Sequence, residues 1–234
     1  MPDSKPAAYI FDAYGTLFDV HSVVLRAGQG IAGDLWSLSQ LWRQKQVEFT
    51  WRRTLMQRYQ DFWQVTEEAL RWSAVQLAIG LSESQIEGLM QAYLSPAVFP
   101  EVQATLEALK GSPLAILSNG TPAMLEGAVR AGGLESYFSH VISVDQIKAY
   151  KPSPAVYALG AEKLNIPADQ SLFISANAWD AAGAKSYGYR VCWCNRSGAV
   201  MDVLGFAPDL IVQRLDEIVE HALGVPRPQS CGRT

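Results

Sequence analysis

Six short apolar runs limit what this chain can fold into. They are Ala8–Phe11, Leu114–Leu117, Val141–Val144, Leu172–Ile174, Arg190–Trp193 and Asp209–Val212, each closed by turn-forming or polar residues. Segments with helical spacing, such as Pro122–Ala131, Pro154–Leu164 and Trp179–Tyr187, stand between most of them. Strands that alternate with helices make a parallel sheet covered on both faces. The reading is an α/β fold with a doubly wound, mainly parallel, Rossmann-like core sheet. A chain of 234 residues can bury such a core and still carry a large insertion. From about Val20 to Pro96 no strand pattern occurs. There Leu38, Leu41 and Trp42, then Leu55, Met56, Tyr59, Phe62 and Trp63, recur at three- and four-residue steps. This predicts a helical-bundle cap inserted after the first strand. The chain then divides into a core over 1–19 and 97–225, a cap over 20–96 and a loose tail over 226–234. Trp36, Trp42, Trp51, Trp63 and Trp72 all fall in the cap, where such stripes pack the interior or a dimer interface.

Composition excludes several classes. A 49% hydrophobic, 18% charged chain suits a soluble globular protein, and a net charge of −4 argues against nucleic acid as the main partner. No apolar run reaches membrane-spanning length, and the N-terminus lacks a signal-peptide pattern. Cys192, Cys194 and Cys231 do not form a disulfide framework and suggest a reducing, cytoplasmic setting. Cys192 and Cys194 flank Trp193 and point the same way from a strand, without further ligands for a metal. His21, His140 and His221 fit no catalytic pattern and read as structural.

Chemistry gathers at the ends of four runs. The first stops at Asp12, in Phe11-Asp-Ala-Tyr-Gly-Thr-Leu-Phe-Asp19, where Gly15 permits a tight turn and Thr16 offers a hydroxyl. The second ends in Ser118-Asn-Gly-Thr121, the third leads to Lys151-Pro152, and the fourth ends in Ser175-Ala-Asn-Ala-Trp-Asp180. In an open parallel sheet these ends project toward one edge, where ligands bind. A carboxylate in the place of Asp12 serves as nucleophile, as metal ligand or as loop cap.

The set resembles the haloacid dehalogenase superfamily, and within it the L-2-haloacid dehalogenases. The resemblance is carried by Asp12-Ala-Tyr-Gly-Thr-Leu-Phe-Asp, Leu41-Trp-Arg-Gln-Lys-Gln, Leu117-Ser-Asn-Gly, Tyr150-Lys-Pro and Asn177-Ala-Trp-Asp180. It runs over nearly the whole chain, cap included. One departure is Ala176, where a second serine is common; Ser175, Asn177 and Asp180 all remain. The superfamily's phosphatases carry a second aspartate at the position of Tyr14, to protonate an alkoxide, and need Mg²⁺. Tyrosine does not replace that acid, and Asn177 with Asp180 is no acidic pair. A halide leaving group needs neither proton nor metal, so the resemblance implies no cofactor. A Mg²⁺-dependent phosphatase of the same fold is the alternative. A catalytically dead member acting through its cap is a third reading, opposed by the intact Asp12, Lys151 and Asp180.

The implied reaction hydrolyses (S)-2-haloalkanoates to (R)-2-hydroxyalkanoates and halide. Asp12 attacks the α-carbon with inversion, and water then cleaves the aspartyl ester. An anionic substrate about 4 Å from Asp12 is repelled by roughly 4 kcal/mol at an effective dielectric near 20, so the site needs cations. The resemblance supplies Lys151 and Arg43, the latter reaching from the cap to the halide. It assigns Ser118 to the substrate carboxylate and Thr16 to ordering of the Asp12 loop. Asn119 and Trp179 complete the halide cradle. Tyr14, Gln44, Val47 and Phe62 form the substrate wall. Asp180 activates water with Ser175 and Asn177 positioning it, and Tyr157 supports Lys151 or the substrate carboxylate. A homodimer through the cap helices is the implied assembly.

Overall fold

A computed structural model describes residues 5–223. The expected tail over 226–234, with Cys231, lies outside the described residues. The chain opens with β1 (Ala8–Phe11), buried at every position. It turns into a two-residue strand, β2 (Phe18–Asp19), and enters four helices: α1 (Ser22–Ala27), α2 (Leu35–Leu55), α3 (Phe62–Gln76) and α4 (Glu83–Ala92). It returns through β3 (Ala97–Val98) and α5 (Val102–Leu109). Then come β4 (Leu114–Ser118), α6 (Pro122–Ala131), β5 (His140–Ser143), α7 (Pro154–Leu164), β6 (Ser171–Ser175), α8 (Ala178–Tyr187), β7 (Arg190–Cys194), β8 (Leu210–Val212) and α9 (Glu217–Leu223).

All six apolar runs are strands of one sheet, ordered β5-β4-β1-β6-β7-β8 and parallel throughout. Counting these strands alone, the order is 3-2-1-4-5-6, the doubly wound pattern. The winding reverses between β1 and β6, and the crevice at that switch point is where such sheets place ligands. Asp12 follows β1 there, and Ser175 closes β6 beside it. Register fixes the rest: Phe11 pairs with Ile116 on β4 and with Ile174 on β6, so the three strands end at the same edge, β4 two residues and β6 one residue past β1.

The segment without strand signals is helical, and its helices begin where their caps dictate. Asp34 accepts hydrogen bonds from the Trp36 and Ser37 amides to open α2, Asp61 caps α3, and Ser82 with Gln85 forms a capping box on α4. The apolar faces of α2 and α3 meet over Leu38, Trp42, Phe62, Val65 and Leu70, all buried. β2 and β3 are absent from the sequence reading. They pair antiparallel, Phe18 with Val98 and Asp19 with Ala97, and so join the two strands of chain that enter and leave the helices. Two-residue strands carry no periodicity to read. Among the tryptophans of this segment, Trp42 is buried, whereas Trp36 is 53% exposed and Trp72 38% exposed.

Cys192 and Cys194 are buried free thiols on β7, as read from the strand pattern. His21 and His140 each bond a serine hydroxyl, Ser39 and Ser139, and belong to no catalytic pair.

Candidate active site

Asp12 extends the β1 ladder, its amide donating to the Ile174 carbonyl at 2.9 Å. The chain then reverses through Gly15, whose φ of +92° favours a residue without a Cβ. The turn brings Thr16 back over the carboxylate, and its hydroxyl donates to Asp12 Oδ2 at 3.0 Å. The same hydroxyl accepts from the Ala176 amide at 2.9 Å, so β1 and β6 share one hydrogen-bonded corner.

The fourth strand end contributes Asn177. It stands at the N-cap of α8, a position where asparagine commonly bonds its own helix. Here its side chain turns away. Nδ2 donates to Asp12 Oδ2 at 2.9 Å and to the Tyr14 carbonyl at 3.3 Å, while its amide is held by Ser175 Oγ at 3.1 Å.

Lys151 is buried and joins two carboxylates. Its Nζ lies 3.1 Å from Asp12 Oδ1 and 2.9 Å from Asp180 Oδ2. Burial disfavours the ammonium, but the Asp12 and Asp180 carboxylates outweigh it and push Lys151 above its ordinary pKa. The same burial, with Asp12 adding to it, pushes the Asp180 carboxyl up against the pull of Lys151. Tyr157 donates to Asp180 Oδ1 at 2.8 Å. Sequence reasoning set Tyr157 beside Lys151 or the substrate; the bond it makes is to Asp180, one step further back. Lys151 is located by its own backbone, whose amide donates to Asn119 Oδ1 at 3.1 Å. Ser118, at the end of β4, is buried, and its Oγ accepts from the Gly120 amide at 3.2 Å.

The cap closes the cleft from above. Arg43 on α2 donates to the Tyr14 carbonyl at 3.1 Å and makes a longer contact, 3.4 Å, to Asn177 Oδ1. Its other nitrogen donates to Gln46 Oε1 at 2.8 Å. Gln46 is fully buried; it also accepts from Tyr93 OH at 3.0 Å and donates to Thr66 Oγ1 at 2.7 Å. Sequence reasoning missed Gln46 and Tyr93. Gln46 had a signal, since it follows Arg43 by three residues and therefore shares its helix face. Tyr93 had none, being brought in by packing of α4.

Tyr14, Val47 and Phe62 are buried as a wall would require. The Tyr14 ring lies 6.0 Å from Phe62 and 5.3 Å from Tyr93. Gly120 admits that ring: a Cβ there would sit 2.9 Å from Tyr14 Cε2. Burial pushes the Tyr14 phenol well above its ordinary pKa, and its hydroxyl meets no hydrogen-bond partner among the described residues. Gln44, expected in the wall, is exposed on α2, because the inward face of that helix is taken by Arg43, Gln46 and Val47. Trp179 meets Trp51 edge-on at 5.5 Å, and both line an apolar cavity of about 590 Å³ that also borders Tyr150 and Lys151. Among the described residues no three His, Cys, Asp or Glu side chains gather as metal ligands. Between Asp12 and Asp180 stands an ammonium.

The sequence profile of the haloacid dehalogenase-like hydrolases matches residues 6–188. The chain belongs to that family. Within it, this haloacid dehalogenase-like hydrolase is 45% identical to (S)-2-haloacid dehalogenase H-109 of Pseudomonas putida, over 92% of this chain and 96% of that protein. It is 44% identical to haloacetate dehalogenase H-2 of Moraxella sp. (strain B), over 94% of this chain and 99% of that one. Its fold superposes with a TM-score of 0.85 on an L-2-haloacid dehalogenase of Xanthobacter autotrophicus with chloropropionic acid covalently bound. That enzyme is 36% identical over 94% of this chain and all of the other. The six-stranded core and the helical insertion are thus shared with dehalogenases along almost the full length of each.

Proposed function

We propose that this protein hydrolyses (S)-2-haloalkanoates to (R)-2-hydroxyalkanoates and halide. The observation that carries the reading is the Asp12 carboxylate: buried, anchored on both oxygens, facing an ammonium rather than a second acid. Asp12 displaces halide from the α-carbon, forming an ester and inverting that carbon. The departing halide takes both electrons of its bond and needs no proton. That suits a site whose residue two positions on is Tyr14, a weak proton donor. Arg43, with Asn119 and Trp179, receives the halide, while Ser118 holds the substrate carboxylate. Tyr14, Val47 and Phe62 surround the α-carbon and its substituent. An apolar wall excludes water and strengthens the charges within.

In the second step water adds to the Asp12 carbonyl carbon, the acyl–oxygen bond breaks, and the hydroxyacid leaves with its inverted centre intact. Asp180 takes the proton from that water and returns it to the departing alkoxide oxygen. Burial raises the Asp180 pKa and so makes it a better base than an exposed carboxylate. Asn177 and Ser175 place the water, Thr16 and Lys151 keep Asp12 oriented, and Tyr157 steadies Asp180. The relative captured with chloropropionic acid covalently bound supports a covalent route.

The same reading takes residues 1–19 and 97–225 as catalytic core and 20–96 as cap, hinged on the β2–β3 pair. A homodimer through the cap is supported by exposed Trp36, Leu55, Met56 and Val75. The free thiols of Cys192 and Cys194 fit a cytoplasmic setting. No helix among the described residues is long and apolar enough to cross a membrane.

Halide release from L-2-chloropropionate in excess chelator tests the reaction. Release unaffected by chelator supports it; phosphatase activity that chelator abolishes would instead place the protein with the metal-dependent members of its family. A single turnover in ¹⁸O-water with enzyme in excess tests the ester. The label is expected in Asp12, and label entering the hydroxyacid directly would sink that intermediate.

A further inference from the structure

Arg196 follows β7 and has no part in the chemistry described so far, yet it reaches the turn that carries the nucleophile. Nη1 donates to the Gly15 carbonyl at 3.1 Å and Nη2 to the Thr16 carbonyl at 3.0 Å. The other side of the guanidinium pairs with Glu101, with Nε at 3.1 Å and Nη2 at 2.8 Å from the same carboxylate oxygen. Its carbon lies 4.0 Å from the centroid of the Phe99 ring. Glu101 is buried and ionised, its pKa lowered because bonds from the backbone and Arg196 outweigh burial. All three guanidinium nitrogens are therefore engaged, and the planar fork spans two adjacent carbonyls as a lysine ammonium cannot.

Both partners of Arg196 bear on the site. Phe99 and Glu101 stand just past β3, where the chain leaves the helical insertion, and the Phe99 amide donates to the Leu17 carbonyl at 3.1 Å. Thr16 takes Arg196 on its carbonyl and gives its hydroxyl to Asp12 Oδ2. The carbonyl of Tyr14, two residues earlier, is taken by Arg43. Three successive carbonyls of the nucleophile turn are thus held by two guanidinium groups. Peptide planarity converts a held carbonyl into a held peptide plane. With Arg43 and Asn177, Arg196 also borders a small cavity of about 280 Å³, so the brace shares a wall with two side chains of the site.

We propose that Arg196, steadied by Glu101, is a positioning residue for Asp12. It fixes the Gly15 and Thr16 peptides, and through the Thr16 hydroxyl it fixes the attitude of the attacking carboxylate. In-line displacement is sensitive to that attitude, since a misplacement near 1 Å costs about a hundredfold in rate. The inference rests on Asp12 acting as nucleophile. It adds a charged side chain 184 positions away in the chain (196 − 12) as the part that aims it.

The test measures kcat, KM, single-turnover ester formation and melting temperature for wild type, Arg196→Gln, Arg196→Lys and Glu101→Gln with L-2-chloropropionate. Lys185→Met serves as a stability control, because Lys185 pairs with Asp209 at 2.7 Å away from the cleft. Arg196→Gln is expected to lower kcat and the ester-forming rate roughly 10- to 100-fold, with KM within about threefold of wild type. Arg196→Lys keeps the charge but not the fork and should fall between the two, as should Glu101→Gln. Lys185→Met should lose melting temperature without losing kcat. Wild-type kcat in folded Arg196→Gln overturns the proposal, as does a kcat loss in Lys185→Met equal to that in Arg196→Gln. If Arg196→Gln does not fold, wild-type kcat in both Arg196→Lys and Glu101→Gln overturns it. A wild-type protein that releases no halide from any 2-haloalkanoate defeats the reading of the site and this inference together, a result distinct from an active wild type with indifferent Arg196 variants.

Discussion

The two walls of the cleft hold their charges in different ways. On the core side, Asp12, Lys151 and Asp180 form a buried chain of ions, closed at one end by Thr16 and Asn177 and at the other by Tyr157. Every member but Lys151, which lies in the loop between β5 and α7, sits within a few residues of a strand end or on the helix that follows it. On the cap side, Arg43 is half-buried and rests on Gln46, which is held in turn by Tyr93 and Thr66. It crosses to the core through two contacts, to the Tyr14 carbonyl and Asn177. The core wall is assembled by the sheet itself. The cap wall depends on how four helices dock, and the cleft is complete only when they do. A buried ion chain is stiff because each unpaired member is costly. An arginine held by neutral partners adapts more readily to an arriving and departing anion.

The largest effect should come from breaking the core wall. Lys151→Met leaves Asp12 and Asp180 buried without their cation. Activity should fall by roughly 10³-fold or more through loss of charge compensation. Stability should drop by about 3–5 kcal/mol, the usual cost of stripping one partner from a buried pair. Halide assays and denaturant melts read both; a variant as stable as wild type would show that the two carboxylates do not depend on Lys151.

The cap wall should break differently. Arg43→Ala is expected to lower turnover by about 10²–10³-fold, as removal of one charge-stabilising donor does elsewhere, while the melt shifts by no more than about 1 kcal/mol. Full turnover in that variant would take the cap out of the halide site. Equal losses of activity and stability would erase the contrast between the walls.

The smallest effect concerns pH. Burial lowers the His21 pKa, Asp19 opposes it and Arg43 adds to it. His21 lies at the entrance to the helices and bonds Ser39 on α2. With the folded pKa below the unfolded value near 6.5, the unfolded chain binds more protons as pH falls through that range. The His21 contribution to stability is therefore present above about pH 6.5 and lost below it. Lys151, held above its ordinary value, contributes stability that is present below about pH 10.5 and lost only as pH rises further. Melting temperature should fall modestly between about pH 7.5 and pH 5.5, and His21→Gln should flatten that slope. An unchanged slope in the variant would assign the loss to another group.

How much was legible in the sequence follows from which residues are local to a strand end. The four central strands were readable because burial on both faces leaves unbroken apolar runs, the edge strands β5 and β8 by their short apolar stretches despite partial exposure, and the helices over Pro122–Ala131 and Pro154–Leu164 because Pro at a first turn marks a helix start. Asp12, Ser118, Ser175 and Asn177 stood out because they interrupt such runs at the same end. The β2–β3 pair left no trace, since two residues carry no period. Spacing puts Gln46, not Gln44, on the helix face of Arg43, but only packing of the helices shows that this face is the one buried. Arg196 and Glu101 are 95 positions apart and follow unrelated strands, so no spacing rule connects them.

The sequence by itself determined the doubly wound sheet, the helical insertion, and the edge at which Asp12 and its companions emerge. These follow from local apolar periodicity and from the direction of parallel strands. Tertiary structure decided which polar groups meet: that Tyr157 bonds Asp180, that Gln46 supports Arg43, and that Arg196 grips the nucleophile turn. Hydrogen bonds reach about 3 Å, and contacts between distant segments are set by packing, which the spacing of residues along a chain does not encode.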